Sequence, residues 1–135
     1  MNNVQWSAEY SVGIAKIDEE HQDLFGMINE LQFLLMRDWN RELVKESFDR
    51  FLKKILQHFH DEENYMEVFK YPASAPHQRH HHELILQANI ILEKLNTETI
   101  NFTPEIADYL ELWLTHHVQG PDRALGLYLN EMGLV

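Results

Sequence analysis

Three things that this sequence lacks limit what the protein can do. The 135 residues contain no cysteine, which excludes disulfides, iron–sulfur clusters and zinc sites built from thiolates. Basic residues are scarce: 11 Lys and Arg stand against 22 Asp and Glu, a formal charge of −11. Such a chain would repel phosphate backbones and anionic lipid surfaces, so no nucleic-acid partner is expected. No apolar run approaches bilayer-spanning length, so no membrane insertion is expected.

The N-terminal stretch "MNNVQWSAEY" has neither the basic nor the apolar segment of a secretory signal peptide. Together with the absence of cysteine, this agrees with a cytoplasmic protein. Apolar residues make up 44% of the chain, which favours a folded core over disorder. The length suits one domain with a substantial core.

Helical periodicity runs through the sequence, and strand-like alternation is nowhere sustained. Four helices are predicted, over about residues 18–37, 41–69, 77–95 and 103–119. Asp18 and Thr103 are the predicted N-caps of the first and fourth helices. The dipeptide Gly120–Pro121 is predicted to end the fourth helix, and a short fifth helix should run from Pro121 to about Met132.

Four amphipathic helices with short connections predict an all-α protein, an up-down four-helix bundle with an N-terminal arm and a short C-terminal helix. The single domain would cover residues 1–135, divided into an arm (1–16), the bundle (17–119) and the C-terminal helix (120–135). Four apolar residues suggest that the arm packs on the bundle: Trp6, Tyr10, Val12 and Ile14.

Nine histidines, four of them in the stretch "APHQRHHHEL", are the most unusual feature of the sequence. Ligands must point into the bundle, and each residue advances about 100° around a helix, so the apolar stripe tests every candidate. On the third helix, His77 lies on the stripe and His81 lies about 40° from it. His80 is borderline at about 60°, and His82 faces water at about 140°.

On the second helix the motif is "HFHDEENYM". His58 and Glu62 form an inward-facing pair with i,i+4 spacing, about 40° apart around the helix. Glu63, about 140° around the helix from His58, is a marginal alternative to Glu62. His60 points away from the stripe and is expected on the surface.

His21 lies within the apolar stripe of the first helix, and His117 lies on the apolar face of the fourth. His116 is turned about 100° away. Asp122, five residues after His117, would point about 140° off that face in an ideal helix. A broken or π-bulged turn at Gly120–Pro121 would allow its carboxylate to point inward.

Five inward histidines and two inward carboxylates cannot remain as unpaired polar groups in a core. Shared metal coordination would satisfy their lone pairs, whereas His60, His80, His82 and His116 are expected to be ordinary surface residues. Seven ligands are too many for one zinc ion but suit two octahedral ions. A nitrogen-rich, sulfur-free set fits iron, although zinc, manganese or cobalt would also be accepted. The chain contains none of the E-x-x-H motifs of ferritin-like di-iron bundles.

The runs "DEEHQDLF", "HFHDEENYM", "HQRHH" and "WLTHHVQGPD" together resemble the hemerythrin family, specifically its single-domain bacterial members. The family signature H-x-x-x-E, H-x-x-x-H and H-x-x-x-x-D is present at His58/Glu62, His77/His81 and His117/Asp122. The resemblance covers nearly the whole chain, and it selects His81 over His80.

This resemblance implies two iron ions joined by an oxo or hydroxo bridge. The seven metal ligands would be His21, His58, Glu62, His77, His81, His117 and Asp122. Histidines of the third and fourth helices would hold one iron, and those of the first and second helices would hold the other, which keeps one open position. The two carboxylates would bridge both ions.

The resemblance further implies reversible dioxygen binding, by a carrier, a store or a supplier of oxygen to a partner enzyme, and not an enzyme. It implies an oxygen pocket lined by Leu24, Phe59, Trp113, Leu114 and Val118. Leu114 is the predicted gate of this pocket, because it lies one residue beyond Trp113 on the face of His117. Two alternatives stay open: an oxygen or redox sensor, and an iron-storage or peroxide-handling di-iron protein. The missing E-x-x-H motifs and the single open position argue against the second alternative.

Overall fold

A computed structural model describes residues 4–37, 40–97 and 103–135, and every regular element in these ranges is helical. After a 3₁₀ turn at Ala8–Tyr10, the elements are α1 (Ala15–Met36), α2 (Arg41–Val68), α3 (Ser74–Asn96), α4 (Pro104–His117), a π turn (Val118–Asp122) and α5 (Arg123–Glu131). Residues 1–3 of the predicted arm and most of the loop before α4 lie outside the described residues. No described helix is long and apolar enough to cross a membrane.

The four long helices form the predicted bundle: α1 packs against α2 and α4, and α2 packs against α3. The apolar stripes of α1 and α2 are buried, whereas those of α3 and α4 include partly exposed residues such as Ile91, Leu92 and Ile106. The largest fully buried side chains come mostly from α1 and α2 and include Phe25, Phe48, Phe51 and Phe59. Burying one such side chain contributes about 1.5–3 kcal/mol, so these four aromatic side chains add substantially to the stability of the bundle.

The start of α1 differs from the prediction, whereas the start of α4 agrees with it. Asp18 is not an N-cap, because α1 begins at Ala15 and Ile14 occupies the cap position. The Asp18 carboxylate instead accepts hydrogen bonds from Ser11 Oγ (2.5 Å) and from the backbone N–H of Val12 (2.8 Å). It therefore tethers the arm to the first turn of α1. Thr103 occupies the N-cap position of α4, as predicted, with proline at the next position.

Helix α3 begins at Ser74, three residues before the predicted start at His77. Pro76 therefore lies in the first helical turn, where a missing N–H breaks no intrahelical hydrogen bond.

Helix α4 ends at His117, two residues before its predicted end, and the predicted short fifth helix begins at Arg123 and not at Pro121. Of the two predicted alternatives at Gly120–Pro121, a broken turn and a π-bulged turn, the structure has the π turn. The chain stays helical through the π turn, which contains Pro121, and continues directly into α5.

The arm packs on the bundle, as its apolar residues predict. Val12 and Ile14 are buried, and the Tyr10 ring meets the Phe25 ring edge-on at 4.9 Å. The arm also joins the two ends of the chain. Glu9 O accepts a hydrogen bond from Arg123, and Gly13 O accepts one from Asn130 Nδ2 (3.0 Å).

Candidate metal centre

Seven polar side chains meet in the interior of the bundle, and none is more than 3% exposed. Each packed element contributes: α1 one, α2 two, α3 two, α4 one and the π turn one. The seven are His21, His58, Glu62, His77, His81, His117 and Asp122. The structure thus brings together all the side chains that the sequence singles out as inward-facing polar groups.

These side chains form two overlapping groups in which the potential ligand atoms lie within 4.8 Å of one another. The larger group contains His77, His81, His117 and the two carboxylates of Glu62 and Asp122. The smaller group contains the same two carboxylates with the histidines of α1 and α2. Two ions could therefore be held side by side, with both carboxylates shared between them.

Asp122 reaches the cluster because of the π turn. A turn closed by i→i+5 hydrogen bonds contains one residue more than an α-helical turn. Over the π turn, the five-residue step from His117 to Asp122 therefore has nearly the rotation of an i,i+4 pair. The Asp122 carboxylate is fully buried, and Oδ1 lies 3.0 Å from His117 Nε2.

The donor atoms converge on common points, and apart from a contact of 3.1 Å between His81 Nε2 and His117 Nε2 most of them have no hydrogen-bond partner in the described ranges. Asp122 Oδ2 lies 2.9 Å from His21 Nε2, and Glu62 Oε2 lies 3.1 Å from His58 Nε2. Yet none of these four atoms has a hydrogen bond of acceptable angle within the described part of the chain. Each unsatisfied buried polar atom costs about 1–3 kcal/mol. Metal ions would use these lone pairs, and five imidazoles with two carboxylates suit iron.

The electrostatics of the metal-free cluster agree with this role. Burial lowers the pKa of His58, but the carboxylates of Glu62 and Glu20 outweigh burial and raise that pKa to about 10. Burial likewise lowers the pKa of His77, and Asp122 with Glu62 raises it to about 9. Burial raises the pKa of both Glu62 and Asp122, but the surrounding histidines hold both values well below the usual range. Without metal, protons on histidines balance the buried carboxylates; bound cations would replace those protons.

Two further carboxylates contact the cluster from outside. Glu20 Oε1 lies 2.7 Å from His58 Nδ1, and Glu63 Oε2 lies 2.8 Å from His81 Nδ1. The sequence reasoning missed Glu20 and weighed Glu63 only as a rival to Glu62. Both are sequence neighbours of predicted ligands: Glu20 precedes His21, and Glu63 follows Glu62. Their contacts, however, depend on the register between neighbouring helices, which the face of a single helix does not reveal.

The four histidines expected on the surface, His60, His80, His82 and His116, are all exposed. Of the residues expected around an oxygen pocket, Leu24, Phe59, Leu114 and Val118 are buried.

Two aromatic rings of the expected pocket stack on histidines of the cluster. Phe59 lies flat on His81 with ring centroids 3.7 Å apart. Trp113 stacks on His117 at 4.5 Å. Trp113 is only half-buried, and it lines an outer groove of about 360 Å³ between α3 and α4. Phe59 therefore covers the cluster from inside the bundle, whereas Trp113 covers it from the groove side.

A four-helix bundle with five buried histidines and two shared carboxylates defines a class of di-metal proteins distinct from the four-glutamate ferritin-like class. Residues 12–126 match the family model described as the hemerythrin HHE cation binding domain. The chain therefore belongs to the hemerythrin family, as its motifs predict.

Several curated relatives share this assignment. A bacteriohemerythrin of Stenotrophomonas maltophilia is 32% identical over 120 residues, covering 88% of this chain and 76% of the relative. A bacteriohemerythrin of Clostridium acetobutylicum is 25% identical over 126 residues, covering 87% and 95%. A myohemerythrin of Theromyzon tessulatum is 27% identical over 118 residues, covering 87% of each chain. A wild-type hemerythrin crystal structure superposes with a TM-score of 0.91 at 22% identity, covering 95% of this chain and 98% of that one, which shows the shared fold.

Membership of this family indicates the general function of the chain. Hemerythrins bind a di-iron centre and dioxygen, and they are generally oxygen carriers or binders rather than enzymes. The buried cluster of histidines and carboxylates is the part of this chain that fits such a centre.

Proposed function

We propose that this chain binds dioxygen reversibly at a di-iron centre held by the seven buried side chains. The proposal depends mainly on the unequal size of the two ligand groups: five donors in one and four in the other, with both carboxylates common to the two. Two octahedral ions that also share one solvent oxygen would then be complete in the five-donor group and one ligand short in the four-donor group. His21 and His58 would hold the ion with the open position.

When bound, two ferrous ions supply the two electrons that reversible dioxygen binding requires. The chain supplies a neutral histidine shell and only two carboxylates, which leaves the pair of ions cationic. The four glutamates of ferritin-like bundles would neutralise two ferrous ions completely. The smaller negative charge favours holding dioxygen over oxidising a substrate, so we propose a binder and not an enzyme.

Buried apolar side chains of α1, α2 and α4 would exclude water from the open position. Leu24, Phe59, Leu114 and Val118 are each at most 2% exposed. A dry pocket slows irreversible oxidation, because water and protons that would displace the bound ligand are kept out. We assign Leu114, one turn before His117, as the gate of this pocket, with Trp113 at its outer edge.

The proposed physiological role is that of an oxygen carrier, a store or a supplier to an oxygen-consuming enzyme in the cytoplasm. The seven ligand side chains are enclosed in the bundle, so only a small molecule could reach an ion that they hold.

The test is an anaerobic loading of the full chain with ferrous iron, followed by cycles of air and argon. We expect two irons per chain and a visible absorption band that appears in air and disappears under argon. His81→Ala should abolish the band, whereas His82→Ala, at the exposed neighbouring position, should keep it. One iron per chain, or a single irreversible oxidation without a recoverable band, would contradict the proposal.

A further inference from the structure

Two carboxylates outside the ligand set contact the far side of two ligand rings. Glu20 Oε1 lies 2.7 Å from His58 Nδ1, and Glu63 Oε2 lies 2.8 Å from His81 Nδ1. An ionised carboxylate can only accept hydrogen bonds, so the Nδ1–H of each histidine donates. In the neutral form that a metal ligand must adopt, the other ring nitrogen, Nε2, then carries no proton and can offer its lone pair to an ion in the cluster.

The two contacts are distributed one to each ligand group. His58 belongs to the four-donor group, and His81 belongs to the five-donor group. For the remaining three cluster histidines, His21, His77 and His117, the structure gives Nδ1 no hydrogen-bond partner among the described residues. Each prospective ion therefore has one histidine whose tautomer and ring orientation are held by a carboxylate.

We infer that Glu20 and Glu63 are positioning residues, one for each ion, that hold His58 and His81 in the metal-binding tautomer. This inference rests on the proposed di-iron function. A carboxylate behind a histidine ligand also increases the electron density on the metal-facing nitrogen, which strengthens binding of the ion and favours its oxidised state. Glu20 and Glu63 would therefore adjust the two ions separately, without contacting either.

The two positions differ in how easily water can replace the carboxylate. The Glu20 side chain is 12% exposed, and Glu63 is 36% exposed. Lys16 Nζ lies 3.9 Å from Glu20 Oε2 and 3.8 Å from Asp61 Oδ2, so Glu20 is also flanked by a charged pair. Loss of the Glu20 carboxylate should therefore have the larger effect, and it should fall on the ion with the open position.

The experiment compares Glu20→Gln and Glu63→Gln with two matched controls in the full chain. Glu19→Gln and Glu67→Gln remove the same charge at exposed positions of the same two helices. Ferrous iron is titrated anaerobically against a competing chelator, and the reduction potential of each loaded protein is measured. Each cluster variant should bind one of its two ions about 10- to 100-fold more weakly and should have a higher potential. The controls should match the wild type.

A second measurement does not depend on the variants folding. In the zinc-loaded wild type, histidine nitrogen NMR should show a proton on Nδ1 of both His58 and His81. A proton missing from Nδ1 of either residue would overturn the inference, as would cluster variants with wild-type affinity and potential. A wild-type chain that takes up fewer than two irons would instead contradict the proposed function, so the two failures are distinguishable.

Discussion

Deleting Gly120 would test whether the π turn is what brings Asp122 onto the same face as His117. Gly120 is exposed, and a side chain built there would touch nothing within 4 Å, so the deletion removes no packing. It leaves four residue steps between the histidine and the carboxylate instead of five. In a regular α-helix four steps turn the chain to within about 40° of the starting direction, whereas five steps leave it about 140° away.

The deletion should therefore close the turn as ordinary α-helix and keep the carboxylate inside the bundle. The energetic cost falls on Pro121, which would now lie in the interior of an α-helix. There its ring clashes with the carbonyl four residues before it, which destabilises the protein by about 3 kcal/mol. Adding Pro121→Ala to the deletion should recover most of that loss. Inserting an alanine after Gly120 should instead turn the carboxylate by about a further 100° and remove it from the cluster.

Two measurements decide the outcome: iron per chain after anaerobic loading, and the free energy of unfolding of the metal-free protein in guanidinium chloride. Both deletion variants should hold two irons, and the insertion variant should hold fewer. A deletion variant that folds but cannot hold two irons would refute the register argument. So would an insertion variant with full metal content.

Three other predictions concern packing. Leu114→Ala should speed autoxidation in air and destabilise the protein by about 2–5 kcal/mol, whereas Leu110→Ala, an equally buried leucine one turn earlier, should destabilise without speeding autoxidation; equal rates would count against the gate. Gly126→Ala should destabilise by about 1–3 kcal/mol, because the new Cβ would overlap a backbone carbonyl of the arm. Gly26→Ala, where the Cβ meets nothing, should stabilise by about 0.5–1 kcal/mol; denaturant unfolding curves with the same midpoint would contradict both.

The bundle and most of the cluster could be predicted because each depends on the periodicity of one helix at a time. His58 and Glu62 share a face within α2, and His77 and His81 share one within α3, whatever the other helices do. The apolar stripe then identifies that face as the inner one. Residues whose role is local in this sense can be placed from spacing alone.

Features that depend on contacts between elements could not be predicted in the same way. Asp18 is a residue type that favours the N-cap position, yet its carboxylate binds the arm, because α1 begins earlier, at Ala15, with the buried Ile14 at the cap position. Glu20 reaches across to His58 on another helix, which requires the register of α1 against α2. The π turn follows from the conflict between Pro121 and α-helical geometry. The sequence indicates this conflict but does not decide between a broken turn and a π-bulged turn.

The hydrogen bonds of the arm to Arg123 and Asn130 join residues separated by 114 and 117 positions in the chain. Arg123 directly follows Asp122, so the position of this last ligand carboxylate depends on a segment that lies far earlier in the chain. Contacts between such distant positions form late in folding, because the entropy of closing a long loop must be overcome first. A partly folded chain would therefore hold an incomplete set of metal ligands, and iron binding should coincide with the docking of the arm onto α5.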